Sequence, residues 1–265
     1  MKKWQIATAV AALAVASAGA VGASLAGALP AEGPIIVVPS TVVVANPNWD
    51  PVGPGYNRPA TLPVAPALPA ATGRVLFSTD FNAPGDPGGT SPLLRDSDLP
   101  PAWDVRDGVF QQAGDISGNN RPDEAYYLVG DAAWQDVTVE SAILATSGEG
   151  AGLVWNVQGD SFYRVQLFPN LPNTAPKARL ERVQAGQVTL LAEAPVAAYA
   201  GYAPDAWQTV RVENHGAQRQ VWVNGTLLFD VQDTSLTHGQ AGLYAWADSG
   251  TRFDNLRVQS AAAGN

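Results

Sequence analysis

Residues 207–258 hold the clearest strand and turn signals of the chain, and they read WQTVRVENHGAQRQVWVNGTLLFDVQDTSLTHGQAGLYAWADSGTRFDNLRV. Short runs that alternate apolar and polar residues are separated by turns, and this period of two is typical of half-buried β-strands. Asn224-Gly225 is the strongest turn signal, because both central residues of a type I′ hairpin turn need a positive φ angle. His215-Gly216 marks another hairpin, so the segment predicts consecutive antiparallel strands.

The same rhythm of strands and turns begins at Arg74. No stretch keeps the 3.6-residue period of an amphipathic helix, whereas turn residues recur about every 8–12 residues. We therefore predict an all-β fold, an antiparallel β-sandwich of the jelly-roll kind. The predicted strands are residues 74–81, 103–106, 109–113, 126–129, 136–146, 152–157, 161–168, 177–184, 188–194, 209–214, 218–223, 226–233 and 240–258, the last broken near Asp248 to Gly250.

The composition fits many short strands and excludes several kinds of site. Only 15% of the 265 residues are charged, while glycine (26) and proline (21) are plentiful, as in loop-rich β proteins. The net charge is −9 and no basic run follows Lys3, which argues against a nucleic-acid partner. Because the chain has no cysteine, disulfides, thiolate chemistry and cysteine-ligated zinc are excluded.

The first 29 residues have the layout of a secretory signal peptide. Two lysines follow Met1, and residues 4–29 carry no charge and are rich in alanine, valine and glycine. The alternative is an uncleaved anchor that tethers the protein to the membrane, since the stretch is long enough to span a bilayer. In either case we expect the folded part to be extracellular or at the cell surface.

The rest of the chain divides into a linker, one domain and a short tail. Residues 30–72 are rich in proline, alanine and valine, and proline at this density excludes helix interiors and central strands. We therefore predict an extended linker there, with an extra edge strand in IIVV or TVVVA as the alternative. Residues 73–260 are predicted to form the β-sandwich domain, and residues 261–265 a disordered tail.

Alternation along the predicted strands assigns their side chains to two faces. Arg164 and Gln166, for example, alternate with the apolar Val165. If the strands are neighbours in one sheet, their second faces form one polar and aromatic surface. We predict that this surface consists of Glu140, Asn156, Arg164, Gln166, Arg179, Glu181, Tyr244 and Trp246.

A series of short motifs resembles the concanavalin A-like lectin/glucanase superfamily. The motifs are LFSTDF from Leu76, WDVRDGVF from Trp103, WQDVTVE from Trp134, GLVWNVQGDSFYRVQL from Gly152, LERVQAGQVTLLA from Leu180, and then WQTVRVE, VWVNGTLLF, GQAGLYAW and FDNLRV. More narrowly, they are similar to laminin-G-like and 3-keto-disaccharide-hydrolase-like domains of secreted bacterial proteins. The resemblance covers residues 74–259 and implies a two-sheet jelly roll. It implies a function among lectins, adhesion modules and glycosidases.

Two departures from the superfamily bear on function. Its retaining glucanases carry the pattern E-x-D-x-x-E along one strand face, but here Glu140 is followed by Ser141 and Ala142. Many relatives have arginine where this chain has Asn156. This departure weakens the transfer to this chain of an active site built around that arginine.

The resemblance and the predicted surface favour a carbohydrate-binding module that recognises glycans or cell-envelope polysaccharide. Sugar rings present C–H faces to aromatic side chains, while planar polar side chains bond to the sugar hydroxyl groups. The candidate ligand-binding residues are Asn156, Arg164, Gln166, Arg179, Tyr244 and Trp246.

A glycoside hydrolase acting on glycosides or 3-keto-disaccharides is the second hypothesis, and a non-catalytic structural or adhesion module is the third. Hydrolysis needs two carboxyl groups, about 5–5.5 Å apart for retention or about 6.5–9.5 Å for inversion. If the chain is an enzyme, Glu140 and Glu181 are the candidate catalytic acids. The alternative is that both are solvated acids, with Arg164 and Arg179 as ion-pair partners.

The resemblance also implies a structural Ca²⁺ that joins the first and last strands in some relatives. Asp80 and Asp254 stand in the matching places. Calcium takes six to eight oxygen ligands, so carbonyl groups and water would complete the shell. The alternative is that Asp254 caps a turn by accepting backbone N–H groups.

Overall fold

The computed structural model describes residues 63–83, 85, 87–92, 101–112, 124–145, 150–168, 177–195, 206–246 and 251–261. The predicted signal peptide, most of the predicted linker and nearly all of the predicted tail lie outside these residues. The described residues form β-strands joined by turns and irregular segments. Among them there is no helix long and apolar enough to cross a membrane.

Fourteen strands are described, and they confirm the all-β prediction. They are β1 (Val75–Thr79), β2 (Trp103–Arg106), β3 (Val109–Gln112), β4 (Glu124–Val129), β5 (Val137–Leu144), β6 (Ala151–Gln158), β7 (Ser161–Phe168), β8 (Lys177–Gln184), β9 (Gln187–Pro195), β10 (Gln208–His215), β11 (Gln218–Val223), β12 (Thr226–Gln232), β13 (Gln240–Trp246) and β14 (Arg252–Ser260). The last predicted run contains two strands, β13 and β14, which belong to different sheets. Its predicted break falls on residues outside the described ranges.

The strands form two antiparallel sheets, which confirms the predicted β-sandwich. The eight-stranded sheet has the order β12-β11-β10-β5-β14-β3-β2, with β1 also paired to β14. The six-stranded sheet has the order β4-β13-β6-β7-β8-β9. Strands that are distant in sequence, such as β5 and β14, are therefore neighbours. Polar residues that lie on such strands come close to one another only in the folded chain.

The main core lies between the two sheets. Val139 of β5 is paired with Val212 of β10 and Val258 of β14, and all three are fully buried. From the six-stranded sheet, Val165 and Leu180 are paired across β7 and β8 and belong to the same core. Because side chains alternate along a strand, these inward residues define the outer face of each sheet by elimination.

The Asn224-Gly225 turn has the predicted conformation. Asn224 has a φ angle of 49° and Gly225 one of 76°, and they join β11 to β12. The Asn224 side chain accepts a hydrogen bond from the backbone N–H of Thr209 at 2.9 Å and also bonds to Gln208. The turn therefore positions the start of β10 as well as its own hairpin.

The described end of the predicted linker lies against the eight-stranded sheet. Ala65 packs on an apolar patch that includes Ala142, Leu144 and Trp207. The N–H groups of Thr72 and Gly73 both donate to the Gln259 side chain of β14. Residues 63–73 form a strap, the name used below for this segment, on the outer face of that sheet.

We expect the Asn224→Ala variant to lose about 2 kcal/mol of unfolding free energy. Alanine pays a strain penalty at positive φ, and the bond to Thr209 is lost. Asn224→Gly is the matched control: it accepts the backbone angle and loses only the bond, so it should be more stable than the alanine variant by about 1 kcal/mol. Urea unfolding followed by circular dichroism measures both, and equal stabilities would contradict the strain argument.

Candidate functional site

The outer face of the six-stranded sheet carries a buried cluster of polar and aromatic side chains. Val165 and Leu180 point into the core, so the residues that alternate with them point outward. Tyr126, Phe162 and Tyr244 form an apolar cluster there, separate from the main core. We call this surface the Arg164 face, and it comprises Glu124, Tyr126, Phe162, Arg164, Gln166, Phe168, Arg179, Glu181, Tyr244 and Trp246.

Arg164 lies at the centre of this face between two carboxylates. Its Nη1 is 2.6 Å from Glu124 Oε1, and its Nε and Nη2 are 2.9 and 2.8 Å from Glu181 Oε2. All three side chains are nearly buried, at 5%, 12% and 7% exposure for Arg164, Glu124 and Glu181. The guanidinium is also 5.0 Å from the centre of the Tyr244 ring, a cation–π distance. One positive charge therefore holds two acids from separate strands.

Arg164 keeps its charge in this environment. Burial alone would lower its pKa, but the interactions with Tyr244, Glu124, Tyr126 and Glu181 raise the pKa above its ordinary value. A charged guanidinium accepts no proton and has no basic site at neutral pH. Its roles here are to neutralise the carboxylates and to donate hydrogen bonds.

Tyr126 and Tyr244 keep their hydroxyl protons at neutral pH. Burial raises the pKa of Tyr126 well above its usual range, and the charge of Glu124 raises it further. Burial likewise raises the pKa of Tyr244, against the opposing charge of Arg164. Tyr126 donates its O–H to Glu124. The two phenols are therefore neutral hydrogen-bonding groups.

Gln166 links Tyr244 to the acids. In the amide orientation that satisfies both of its ends, the Gln166 oxygen accepts the Tyr244 O–H at 2.6 Å and its nitrogen donates to Glu181 at 3.2 Å. The Gln166 side chain is buried. Every polar group at the base of the Arg164 face thus has a partner, and the network holds the side chains in one arrangement.

The edge of the face is aromatic and more accessible. Trp246 at the end of β13 is half-buried and meets Phe168 edge to face, with ring centres 5.8 Å apart. Arg179 lies over the Phe168 ring at 5.6 Å and keeps a third of its side chain exposed. Its Nε bonds to Glu193 at 2.6 Å. Trp246 and Arg179 are therefore the members that can contact a ligand from outside.

Six of the eight residues predicted for one surface do share it. They are Arg164, Gln166, Arg179, Glu181, Tyr244 and Trp246. Tyr244 is fully buried, however, so its ring does not offer a stacking face to solvent. This differs from the role expected of it, because neighbouring Tyr126 and Arg164 cover the ring on this side.

The predicted position of Glu140 is wrong, because Glu140 lies on the opposite side of the sandwich. It belongs to β5 of the eight-stranded sheet, where it is paired with Arg211 and Arg257 on the outer face. Arg257 donates to its Oε2 from Nη2 at 2.6 Å. The core lies between Glu140 and Glu181, so the structure does not bring these two acids together. The prediction assumed one sheet, and pairing between strands distant in sequence decided otherwise.

The predicted surface position of Asn156 is also wrong, because its side chain lies in the interior. The β6 pairing is irregular between Trp155 and Gln158, and Asn156 has a φ angle of 51°, as expected of a β-bulge. The bulge reverses the alternation, so the Asn156 amide donates to the backbone oxygen of Leu236 at 2.9 Å and to Asn214 at 3.3 Å. It connects the two sheets and does not reach the Arg164 face.

Glu124 is the functional candidate that the sequence reasoning missed. The predicted strand began at Tyr126, but β4 begins two residues earlier, at Glu124. Counting back by two from Tyr126 would have placed Glu124 on the same face. The pairing of β4 with β13, which aligns Glu124 with Trp246, brings it to Arg164.

Asp80 and Asp254 lie close enough for their charges to interact. Burial raises the pKa of Asp254, the N–H of Asn255 partly opposes this at 2.7 Å, and the charge of Asp80 raises it further. The described residues contain no group of three or more histidine, aspartate or glutamate side chains able to hold a metal. Two carboxylates fit part of a calcium shell, and the structural Ca²⁺ stays a prediction.

We expect Glu181→Gln to lower the unfolding free energy by about 3 kcal/mol, because it removes a charge from a buried ion pair. Glu193→Gln is the matched control. Its pair with Arg179 is more than a third exposed, so it should cost less than about 1 kcal/mol. Denaturant unfolding compares the two, and similar losses would contradict the central role given to the Arg164 cluster.

We expect Asp254→Asn to become more stable than the native chain as pH rises from about 4 to 7 in EDTA. The raised pKa of Asp254 means that its charged form is disfavoured in the folded state, so its stabilising contribution is lost as pH rises through that pKa. Asp80→Asn should change in the opposite direction and at lower pH, because its hydrogen bonds with Asn82 lower the pKa of Asp80. The stabilising contribution of the Asp80 carboxylate is present above its unfolded pKa of about 4 and is lost as pH falls below that value, so this variant should lose less stability on acidification than the native chain. Thermal melts across pH measure both directions.

If calcium binds at this pair, adding it should raise the melting temperature of the native chain and of neither variant. The comparison needs melts in EDTA and in millimolar calcium. An equal rise in melting temperature on adding calcium in all three proteins would mean that calcium binds at another site.

Solved structures similar to this chain are β-sandwich proteins. A protein of unknown function with a galectin-like fold from Bacillus subtilis is 10% identical, covers 73% of this chain and 99% of its own, and has a TM-score of 0.52. A GlcNAcα1-4Gal-releasing endo-β-galactosidase from Clostridium perfringens is 12% identical, with coverage of 75% and 65% and a TM-score of 0.52. The carbohydrate-binding module CBM66 from Bacillus subtilis is 17% identical, with coverage of 60% and 92% and a TM-score of 0.46.

The first two likenesses agree with the sandwich fold. No curated protein matches the chain in sequence. A family model does match, and it covers residues 85–259, which span nearly all of the strands after β1. The concanavalin A-like resemblance of the motifs is thereby confirmed. The chain belongs to the 3-keto-alpha-glucoside-1,2-lyase-like domain family.

Proposed function

We propose that this chain is an exported carbohydrate-binding module whose Arg164 face takes a neutral saccharide. The observation that carries the proposal is that the charges of this face are paired with one another. Arg164 binds Glu124 and Glu181, and Arg179 binds Glu193. A neutral, polyhydroxylated ligand can bond to the outer edges of these groups without breaking the pairs. A charged ligand would have to displace a partner from a buried site.

The accessible edge of the face suits a sugar ring. Trp246 is half-buried and meets Phe168 edge to face, and its indole is the candidate platform for stacking on the C–H face of a sugar. Arg179 lies over the Phe168 ring, keeps a third of its side chain exposed and bonds to Glu193 through Nε, so its other N–H groups are candidate donors to a sugar. An aromatic platform with a planar polar side chain next to it supplies both parts of sugar recognition.

The same pairing argues against a glycosidase built on Glu124 and Glu181. Hydrolysis through two carboxyl groups needs one of them to hold a proton that it passes to the leaving oxygen. Here both acids accept hydrogen bonds from the same guanidinium, and Glu124 also accepts one from Tyr126. The geometry therefore supports binding better than acid catalysis.

We expect Trp246→Ala to weaken glycan binding about five- to twelvefold, because stacking on one ring contributes about 1–1.5 kcal/mol. Arg179→Ala should weaken it by a similar factor. Arg106→Ala is the matched control: Arg106 is an exposed arginine of the other sheet, paired with Asp104, and its loss should leave affinity unchanged. The measurement is a glycan array followed by calorimetry on the best ligand.

Two results would overturn the binding proposal. One is the absence of binding in a broad glycan screen, with and without calcium, by a correctly folded protein. The other is an Arg106→Ala variant that loses as much affinity as Trp246→Ala. The first result would favour a structural or adhesion module, which needs no small ligand.

A lyase is the second candidate, because the family is named for an activity on 3-keto-α-glucosides. A keto group at C3 makes the proton at C2 acidic. Removal of that proton and cleavage of the C1–O bond leave a C1=C2 double bond, and the departing oxygen takes up a proton. Glu124, the more exposed of the two acids, is the candidate base, and Arg164 would bond to the keto oxygen.

We expect Glu124→Gln to abolish elimination if the chain is a lyase, with a loss of at least about a hundredfold. Saccharide binding should persist in the same variant. Ultraviolet absorption of the conjugated product reports the reaction on a synthetic 3-keto-α-glucoside. A native chain that forms no product would exclude this candidate and leave the binding module.

A further inference from the structure

The strap carries prolines at a spacing of three. Residues 63–69 read PVAPALP, so proline occupies positions 63, 66 and 69. An extended polyproline II segment has three residues per turn, and residues three apart therefore point in the same direction. The backbone oxygens of the three prolines are expected to face one side of the segment.

Each of these three proline oxygens accepts a hydrogen bond from a side chain of the eight-stranded sheet. Trp207 Nε1 donates to Pro63 O at 2.7 Å, Asn255 Nδ2 donates to Pro66 O at 3.1 Å, and Arg257 Nη2 donates to Pro69 O at 2.6 Å. Trp207 immediately precedes β10, and the other two donors belong to β14. The contact therefore repeats with the period of the prolines.

Proline chemistry explains why the strap is held in this way. Proline has no backbone N–H and cannot complete a sheet ladder, so the strap cannot join the sheet as another strand. Its oxygens remain free to accept, and the sheet supplies the donors from side chains. Ala65, between the first two prolines, packs on the apolar patch beside Trp207.

The sheet side of the contact is positioned in advance. Arg257 is held by Glu140, which is 98% buried and also faces Arg211 at 3.7 Å. Asn255 has a φ angle of 55°, a left-handed conformation that asparagine tolerates better than most residues. Next to the strap, an open groove of about 460 Å³ lies between Ala67 and Leu68 on one side and β1 and β14 on the other. The strap is thus held by directed hydrogen bonds, with an open groove beside it.

We propose that the outer face of the eight-stranded sheet is a recognition site for an extended segment with proline at every third position, occupied in this chain by its own residues 63–73. In this site, Trp207, Asn255 and Arg257 each donate a hydrogen bond to one proline backbone oxygen. Its occupant lies on the face opposite the Arg164 face.

The test uses a full-length chain in which residues 63–69 are replaced by a glycine–serine sequence of equal length. A labelled peptide of residues 61–73 should bind to this variant, and about tenfold more weakly to the native chain, whose own strap competes. A peptide of the same composition with its prolines moved out of the three-residue spacing is the control, and it should bind at least about fivefold more weakly. Fluorescence anisotropy measures all three.

A folded variant that does not bind the peptide, or that binds both peptides equally, would overturn the proposal. If the replaced chain does not fold, elastase cleavage of the full chain decides the question. Trp207→Phe and Asn255→Gly each remove one donor, and glycine retains the positive φ angle. Cleavage within residues 63–73 should become about fivefold faster in each, with no change elsewhere. Unchanged cleavage of the strap would overturn the proposal.

Discussion

Alternation of side chains between the two faces of a strand is the constraint on which this structure depends. The inner faces of both sheets are apolar and bury one another, and the chain has no cysteine to cross-link them. Polar side chains that alternate with these core residues therefore lie on an outer face, whereas Asn156 at the β6 bulge turns its amide inward to Asn214. The outer faces are where the Arg164 cluster and the strap are found. One pattern thus provides both the stability of the sandwich and its two candidate contact surfaces.

Each outer face carries one buried charge that lies between two charges of the opposite sign. On the six-stranded sheet, the cation Arg164 lies between the acids Glu124 and Glu181. On the eight-stranded sheet, the acid Glu140 lies between the cations Arg211 and Arg257. Removing one partner from such a buried group is costly, because the remaining charge loses its compensation. The pairs therefore restrict where side chains point, and they position the groups that remain available for contact.

Irregular pairing changes what the alternation means at particular positions. The bulge at Asn156 turns its amide towards the other sheet, and the irregular pairing of β14 between Asp254 and Arg257 brings Asn255 to the strap. Both asparagines have positive φ angles, which asparagine adopts more readily than most residues. Neither irregularity has a clear sign in a period-two pattern. A bulge needs only one extra residue, and that residue can itself be polar or apolar.

The alternation and the turn residues determined the fold class, the strand positions and the facing of most side chains. Asn224-Gly225 and the Arg164-Val165-Gln166 alternation are examples, because each depends only on residues adjacent in sequence. Which sheet a strand joins was decided by the tertiary structure. Glu140 and Glu181 were grouped from sequence but lie on opposite faces, while Glu124 joins Arg164 through pairing with a strand more than a hundred residues away. The contacts of the strap are equally long-range. Local sequence encodes the period of a strand, but only the buried core between the sheets selects its neighbours.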